Sequence, residues 1–324
     1  MRIGIVTPAP PGSRYGNRVT ALRWARLLKV LGHSVQIKTE YIDEPFDLLI
    51  ALHAKYSHSS VTRFHREHAE RPLIVALTGT DLYRDLPEDR QAQESLELAS
   101  RIITLQPKAS EALHLDLHEK VRVIYQSVSS KSLKVNGSGK LKAGRGATQF
   151  FKVCVIGHLR PVKDPFRAAQ AARLLPHASR IRVIHIGKAM TKEMEDEARE
   201  EMRVNPRYRW LGEQPKWRAH RLLASSDLFI LSSQMEGGAN VLSEALVAEV
   251  PVLASKIAGT VGILGEDYPG YFEVGNTREL AQLMIRAETV LPFRNHLIDC
   301  CQRLAPEFVP FREKAAWAKL LSEL

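Results

Sequence analysis

The sequence predicts an α/β protein of two doubly wound, Rossmann-like domains that face one another across a cleft. Short apolar runs alternate with amphipathic stretches in the first half of the chain, and the alternation restarts near residue 150. A chain of 324 residues is also long for a single hydrophobic core. We therefore expect two parallel sheets covered by helices on both faces, with ligands at the carboxyl ends of the strands.

Six apolar runs of strand length build the predicted first domain, residues 1–128. A helical pattern over residues 17–31 follows the first run and ends at Gly32, a typical helix stop. A polar helical stretch follows the third run. The predicted strands are residues 2–7, 35–39, 48–52, 73–77, 102–105 and 121–124.

A segment of different composition, residues 129–149, separates the two halves. It is rich in Gly, Ser and Lys and lacks apolar periodicity, which predicts a linker or mobile loop. Alternatively, its basic residues bind an acidic partner.

The second predicted domain spans residues 150–305. Its predicted strands are residues 151–156, 181–186, 228–231 and 252–254, and its predicted helices are residues 165–175, 192–203, 216–224 and 240–248. Residues 306–324 form a last helical segment, which we expect to pack back on the first domain.

Charge and composition narrow the function classes. The formal net charge is +10 at pH 7, which suits nucleic acid, an anionic membrane surface or a phosphate-bearing small molecule. The basic residues are scattered without interleaved aromatic side chains, so we expect no nucleic-acid partner. No run of about 18 apolar residues exists, which predicts no transmembrane segment. The apolar start of the chain breaks at Pro8 and is too short for a signal peptide, so a cytoplasmic protein is expected.

Cysteine usage argues against structural metal or disulfide chemistry. The three cysteines, Cys154, Cys300 and Cys301, lack the even count and the spacing of a disulfide framework or a zinc site. No Asp-x-Asp pair stands in the candidate ligand loops, so the sequence implies neither a metal nor another cofactor.

The strongest local motif is residues 232–255, which predicts a strand, a glycine-containing loop, a helix and another strand. Gly237 and Gly238 would let the backbone approach a ligand, and a helix beginning at Asn240 would present N–H groups to a diphosphate. Glu236 and Glu244 would accept hydrogen bonds from sugar hydroxyls. Alternatively, Glu236 is solvated and Glu244 only complements the helix dipole.

Residues 157–165 form a second motif between a predicted strand and a predicted helix. Arg160 and Lys163 would lie at the carboxyl end of the sheet, where they could neutralise the charge of a departing nucleoside diphosphate. The alternative interpretation is an exposed basic turn.

A third motif, residues 8–18, follows the first strand. Gly12, Ser13 and Gly16 could hold a second anion at the start of the first helix, with Asn17 as its N-cap. The spacing matches neither a Walker loop nor the GxGxxG fingerprint, which disfavours a nicotinamide or flavin site. The alternative is a structural turn.

The fourth motif, residues 77–86, also follows a predicted strand. Thr78, Thr80 and Asp81 would line the ligand site from the first domain, and His53 would lie beside them at the end of the neighbouring strand. A lone histidine of this kind is as well explained by a structural role.

With these motifs together, the chain resembles glycosyltransferases of the GT-B fold, of the GT4 type. The Glu-x7-Glu element from Glu236 to Glu244, the residue 157–163 loop and the N-terminal glycine loop carry the resemblance, which covers nearly the whole chain. Segments such as GHLRPVKDP, LTGTDLYRDLP and MEGGANVLSEAL are similar to the selenosugar synthases of selenoneine biosynthesis. That similarity implies that selenophosphate attacks a UDP-sugar, expected to be UDP-N-acetylglucosamine, and yields a 1-selenosugar, UDP and phosphate.

The resemblance also implies roles for individual residues. Arg160 and Lys163 would hold the donor diphosphate, Glu244 the ribose, and Glu236 would face the sugar. The candidate catalytic residues are Arg160, Lys163, Glu236 and His53; the donor-binding residues are Gly157, Gly237, Gly238, Asn240, Val241 and Glu244; the acceptor-binding residues are Gly12, Ser13, Arg14, Asn17, Arg18, Thr78 and Thr80.

One departure from the wider family bears on the acceptor. Many GT4 members carry a histidine where this chain has Thr78. An anionic selenium nucleophile needs charge complementarity but no deprotonation, so this loss fits selenophosphate, which Arg14, Arg18 or Lys55 could attract; His53 is the replacement candidate near the sugar. Two alternatives stay open: a conventional GT4-type enzyme with a hydroxyl acceptor, and a sugar-nucleotide epimerase of the same fold.

Overall fold

A computed structural model describes residues 1–13, 15–129, 133 and 150–324. The chain divides into two compact units: unit 1 comprises Met1–Gln126, Glu236–Asn240 and Pro310–Leu324, and unit 2 comprises Ser127–Met235 and Val241–Val309. The predicted boundaries placed residues 236–240 in the second domain and ended that domain at residue 305. The candidate Arg14 and most of the predicted linker, residues 130–132 and 134–149, lie outside the described residues.

The helices of the described residues are numbered here in chain order. They are α1 (Gly16–Val30), α2 (His58–Glu67), α3 (Arg90–Leu98), α4 (Arg167–Arg173), α5 (Lys192–Val204), α6 (Lys216–Ala224), α7 (Asn240–Val247), α8 (Ala258–Leu264), α9 (Thr277–Thr289), α10 (Leu291–Leu304) and α11 (Pro310–Ser322). None of them is long and apolar enough to cross a membrane.

Unit 1 contains a parallel six-stranded sheet in the order β2-β1-β3-β4-β5-β6. Its strands are β1 (Arg2–Val6), β2 (Ser34–Lys38), β3 (Leu48–Leu52), β4 (Leu73–Ala76), β5 (Arg101–Thr104) and β6 (Val121–Val123). Strand residues alternate between the two faces. One face packs on Trp24 of α1 and Trp317 of α11, and the other packs on Phe64 of α2 and Leu96 of α3. Both faces are therefore apolar, as a parallel sheet requires.

Unit 2 contains a second parallel six-stranded sheet, in the order β12-β11-β10-β7-β8-β9. Its strands are β7 (Phe151–Ile156), β8 (Ile181–Ile186), β9 (Tyr208–Trp210), β10 (Leu228–Leu231), β11 (Val252–Ser255) and β12 (Tyr271–Phe272). The central strands are almost entirely buried. Two doubly wound parallel sheets confirm the predicted fold class.

Two local predictions about helix starts were wrong. Asn17 is not the N-cap of α1, because Tyr15 is the extended residue before the helix and Gly16 already begins it. The helix expected from residue 165 begins at Arg167, because Pro161–Lys163 forms a 3-10 turn and Asp164 then takes a left-handed conformation with φ of +43°. The backbone therefore changes direction at Asp164, and α4 begins only after this turn.

Candidate functional site

Strand order locates the crevices where ligands of such sheets bind. The order reverses between β1 and β3 in unit 1, and between β7 and β10 in unit 2. Ligands of open α/β sheets bind at the carboxyl ends of strands at such points. The glycine loop follows β1, His53 follows β3, the residue 157–163 loop follows β7, and Glu236 lies beyond the end of β10. Three of the four motifs and His53 therefore follow strands that flank the two reversal points, whereas the fourth motif, residues 77–86, follows β4.

In unit 2, the loop with Arg160 and Lys163 is held by side chains behind it. Arg160 is exposed and Lys163 half-buried. The strained Asp164 accepts hydrogen bonds from Arg167 Nε at 2.7 Å and from Arg167 Nη2 at 3.3 Å. The hydroxyl of Ser232 donates to the carbonyl oxygen of Asp164 at 2.9 Å. These contacts fix the backbone of the turn, so its two cations project from a rigid base.

One backbone hydrogen bond joins the two motifs that are predicted to bind the donor, residues 157–165 and residues 232–255. The N–H of Gln234, just after β10, donates to the carbonyl oxygen of Val162 at 2.9 Å. Because β10 also pairs with β7, the turn carrying Arg160 and the segment leading to Glu236 leave the sheet side by side. Sequence distance between them is about seventy residues, so only the sheet brings them together.

A buried histidine supports the start of the same loop. His185 lies on β8 and its Nε2 atom is 3.0 Å from the carbonyl oxygen of Gly157. Gly187 packs against this point so closely that a Cβ atom there would lie 1.8 Å from the same oxygen. Gly157 itself has open space around its missing side chain, which leaves room for a ligand atom at this position.

Glu244, in α7, is engaged from a neighbouring helix. Its Oε1 atom lies 3.0 Å from His220 Nε2 and 3.5 Å from Lys216 Nζ, both on α6. The Glu244 side chain is 12% exposed. The alternative in which Glu244 only complements the helix dipole therefore leaves out its contacts with Lys216 and His220.

Residues 236–239, which directly precede α7, pack within unit 1. A Cβ atom on Gly237 would lie 2.5 Å from the carbonyl carbon of Thr78, and one on Gly238 would lie 2.5 Å from Leu105 Cβ. Close packing therefore requires glycine at both positions, independently of the expected approach of a ligand. Glu236 is only 9% exposed, so the alternative of a solvated Glu236 is wrong. The side-chain oxygen of Asn240 accepts a hydrogen bond from Arg23 of α1.

His53 lies at the end of β3 in an unusual backbone conformation. Its φ is +78°, and its ring is buried and stacked on Tyr56. The N–H of Tyr56 donates to Nδ1 at 3.3 Å, which leaves the proton on Nε2, 3.3 Å from the hydroxyl of Thr80 and 3.7 Å from Asp85. Burial lowers the pKa of His53, against the opposing charges of Asp81 and Asp85. The ring is thus a neutral donor to Thr80.

Asp81 organises the loop that carries Thr78 and Thr80. It is fully buried, and its carboxylate accepts hydrogen bonds from the backbone N–H groups of Thr78, Gly79, Leu82 and Ala54 at 2.8 to 3.2 Å. The hydroxyl of Thr78 also lies 3.4 Å from Asp81. Asp81 is therefore a structural residue of two loops, the one that carries Thr78 and Thr80 and the one that carries Ala54.

The predicted acceptor residues at the start of α1 form a basic, uncapped helix terminus. The first turn has no acidic residue and no side-chain cap. Gly12 has φ of +78°. Ser13 Oγ and Arg18 Nε are buried atoms with no hydrogen-bond partner among the described residues. Such a terminus favours an anion.

Lys55, another suggested attractor of the acceptor, is already paired. Its Nζ atom lies 2.6 Å from Asp89, and this hydrogen bond raises the pKa of Lys55. Its charge is therefore compensated within unit 1, and it is a weaker candidate than Arg18. Among the described residues, no group of three or more His, Cys, Asp or Glu side chains is arranged to hold a metal ion.

Sequence reasoning missed the supporting residues of these loops. His185, His220 and Ser232 act across the fold, whereas Arg167 contacts Asp164 only three residues earlier. Two of the four had a local signal: the spacing of three between Asp164 and Arg167, and the spacing of four that places Lys216 and His220 on one face of a helix.

We compared the sequence with models of known protein families. Residues 141–299 match the family model of the group 1 glycosyl transferases. This segment of the chain is therefore similar to the group 1 glycosyl transferases. The matched segment contains all six strands of unit 2 together with the two donor motifs. A comparison with curated proteins found no significant match in sequence.

Solved structures similar to this chain cover both units. Anabaena HepE, crystallised with UDP-glucose, is 19% identical over 100% of both chains, with a TM-score of 0.77. A glycosyltransferase from Rickettsia africae is 13% identical over 99% of this chain and 98% of its own, with a TM-score of 0.78. Sucrose-phosphate synthase from Thermosynechococcus elongatus is 12% identical over the same shares, with a TM-score of 0.76. These likenesses establish the fold, which is GT-B.

Proposed function

We propose that this protein transfers the sugar of a UDP-sugar and binds that donor at the carboxyl edge of the unit 2 sheet. The hydrogen bond from Gln234 N to Val162 O carries the proposal, because it joins the Arg160–Lys163 turn to the segment before Glu236. The UDP and UDP-glucose bound in HepE support the choice of donor.

The proposed donor contacts follow from charge. Arg160 and Lys163 would neutralise the diphosphate as it departs, and the start of α7 at Asn240 and Val241 would offer backbone N–H groups to it. Glu244 would accept hydrogen bonds from the ribose hydroxyls, and Glu236 would face the sugar. Because side chains supply the counter-charge, we propose that no divalent cation is needed, so turnover should survive chelation by EDTA.

For the acceptor we propose selenophosphate, bound by unit 1. The uncapped start of α1, with Ser13, Asn17 and Arg18, suits a small anion. Thr80, which receives a hydrogen bond from the neutral His53, would provide a further polar group. Thr78 stands where many GT4 members carry a histidine, and an anionic selenium nucleophile requires no base there.

The reaction would proceed in two steps. A selenium lone pair attacks the anomeric carbon, a carbon–selenium bond forms, and the bond from that carbon to the UDP oxygen breaks, so UDP leaves with the electron pair. Water then attacks phosphorus, the phosphorus–selenium bond breaks, and phosphate and the 1-selenosugar are released.

Product analysis tests the proposal. The protein is incubated with UDP-N-acetylglucosamine, UDP-glucose or UDP-galactose, together with selenophosphate, phosphate or a panel of alcohols, and the products are identified by mass. We expect UDP and a selenosugar with selenophosphate, and little product with phosphate, which has the same shape but a harder nucleophile. If only the alcohols are glycosylated, selenophosphate is not the acceptor, and the protein is a glycosyltransferase with a hydroxyl acceptor. A donor isomerised without acceptor would indicate an epimerase.

Two substitutions test the donor site. Arg160→Ala should lower kcat by about two or more orders of magnitude if Arg160 stabilises the leaving group, whereas Arg199→Ala, an exposed arginine of α5, should leave it unchanged. Glu244→Ala should weaken UDP binding in calorimetry. A normal rate in the first variant or normal affinity in the second would remove that residue from the site.

A further inference from the structure

The contact between His220 and Glu244 stands out among the ion pairs of unit 2. His220 is 2% exposed and lies in α6, where it faces the same direction as Lys216 four residues earlier. Its Nε2 atom lies 3.0 Å from Glu244 Oε1. At this separation the edge of the imidazole ring lies directly against the carboxylate.

Both neighbours from α6 approach the same oxygen of Glu244. The Nζ atom of Lys216 lies 3.5 Å from Oε1, the atom that His220 also contacts. A carboxylate has about four lone-pair sites on its two oxygens. Glu244 can therefore accept ligand hydroxyls while it keeps its contact with His220.

Fixing Glu244 in advance affects the affinity for a ligand. A glutamate side chain loses rotamer entropy when it is ordered. If a buried neighbour already orders it, the ligand does not bear that cost. His220 suits this task better than Lys216, because the Lys216 side chain is 62% exposed and competes with water.

We propose that His220 is a positioning residue of the donor site, whose imidazole holds the Glu244 carboxylate ready to receive the ribose hydroxyls of the UDP-sugar. The inference rests on the proposed function, in which Glu244 binds the ribose. His220 itself touches neither substrate nor reacting atoms.

Two amide substitutions with different reach test the proposal. His220→Gln places an amide N–H near the position of Nε2, whereas the shorter His220→Asn cannot reach Oε1. We expect His220→Asn to weaken UDP binding, measured by calorimetry without acceptor, by about three- to tenfold. His220→Gln should restore most of the affinity, and Lys216→Ala should change it less than about twofold. In turnover, His220→Asn should raise the donor KM and leave kcat nearly unchanged.

A double-mutant cycle distinguishes a loss of UDP affinity that acts through Glu244 from one caused by general destabilisation of the protein. In the Glu244→Ala background, His220→Asn should cause no further loss of UDP affinity, because the group it positions is gone. If His220→Asn does not fold, His220→Leu takes its place, compared with Glu244→Ala in the same cycle. Wild-type affinity in the folded variant, or losses that simply add, would overturn the positioning role. Failure of the wild-type protein to bind UDP would instead reject the proposed function on which it rests.

Discussion

His185 links Gly157 to Tyr208 through its two ring nitrogens. Nε2 lies 3.0 Å from the carbonyl oxygen of Gly157, and Nδ1 lies 3.0 Å from the hydroxyl oxygen of Tyr208. Of the two neutral tautomers, only the one with its proton on Nε2 satisfies both contacts, since Nδ1 then accepts from the Tyr208 hydroxyl. Burial lowers the pKa of His185 from 6.5 to about 4. The ring that supports the donor loop is therefore neutral at physiological pH.

The buried neutral His185 predicts a loss of stability in acid. Its pKa is lower in the folded than in the unfolded protein, so its contribution is complete above pH 6.5 and declines as the pH falls toward 4. One group of this kind costs at most about 1.4 kcal/mol per pH unit. Urea unfolding of wild type and His185→Gln between pH 7 and pH 4.5 measures this. The variant should show a shallower pH dependence, and equal slopes would contradict the assignment.

Gly187 predicts a steric limit at the same loop. A Cβ atom there would lie 1.8 Å from the carbonyl oxygen of Gly157, a backbone atom that cannot rotate away. We expect Gly187→Ala to destabilise the protein by about 1 to 3 kcal/mol, measured by thermal unfolding. Gly157→Ala is the matched control, because nothing lies within 4 Å of its missing Cβ atom. Equal melting temperatures for the two variants would show that the loop is not held there.

Strand positions were predictable because their ends coincide with abrupt changes in polarity. Residues 48–52, 151–156, 181–186 and 228–231 were predicted with the bounds that the structure shows. The strands β9 and β12 were missed because they have only three and two residues, whereas the equally short β6 continues into the apolar Ile124 and so has the length of a recognisable run. The helix α9 was also missed, although Asn276 and Glu279 form a recognisable capping signal before it.

Only those parts of the candidate site that directly follow a strand could be predicted from the sequence. Parallel strands deliver the residues after them to one edge, so the loops of Arg160 and His53 could be placed. The partners of those loops could not. His220 meets Glu244 and His185 meets Gly157 through packing of elements that are distant in sequence, and no local pattern encodes such pairs. The roles assigned to the site residues stay predictions.

Asp81 predicts a large loss of stability in unit 1 on truncation. Asp81→Ala would leave the N–H groups of Thr78, Gly79, Leu82 and Ala54 without their acceptor. Each unsatisfied buried donor costs about 1 to 3 kcal/mol, so we expect a loss of at least about 3 kcal/mol in urea unfolding. Asp89→Ala is the control, since it removes one helix cap and the partly exposed ion pair with Lys55 and should cost about 1 to 2 kcal/mol. Similar losses in both variants would contradict the central role of Asp81.

The last prediction concerns the contact of α1 with α11. Trp24 Nε1 donates to Glu313 Oε1 at 2.9 Å, and the ring of Trp24 meets Trp317 edge-on at 5.0 Å; both rings are fully buried. Glu313→Ala removes the acceptor of a buried indole N–H and should destabilise unit 1 by about 1 to 3 kcal/mol. Phe311→Ala, at a side chain that is 71% exposed on the same helix, should have little effect. In the Trp24→Phe background, where no N–H remains to be satisfied, Glu313→Ala should cost clearly less. An unchanged cost there would mean that Glu313 stabilises the helix pair through a group other than Trp24.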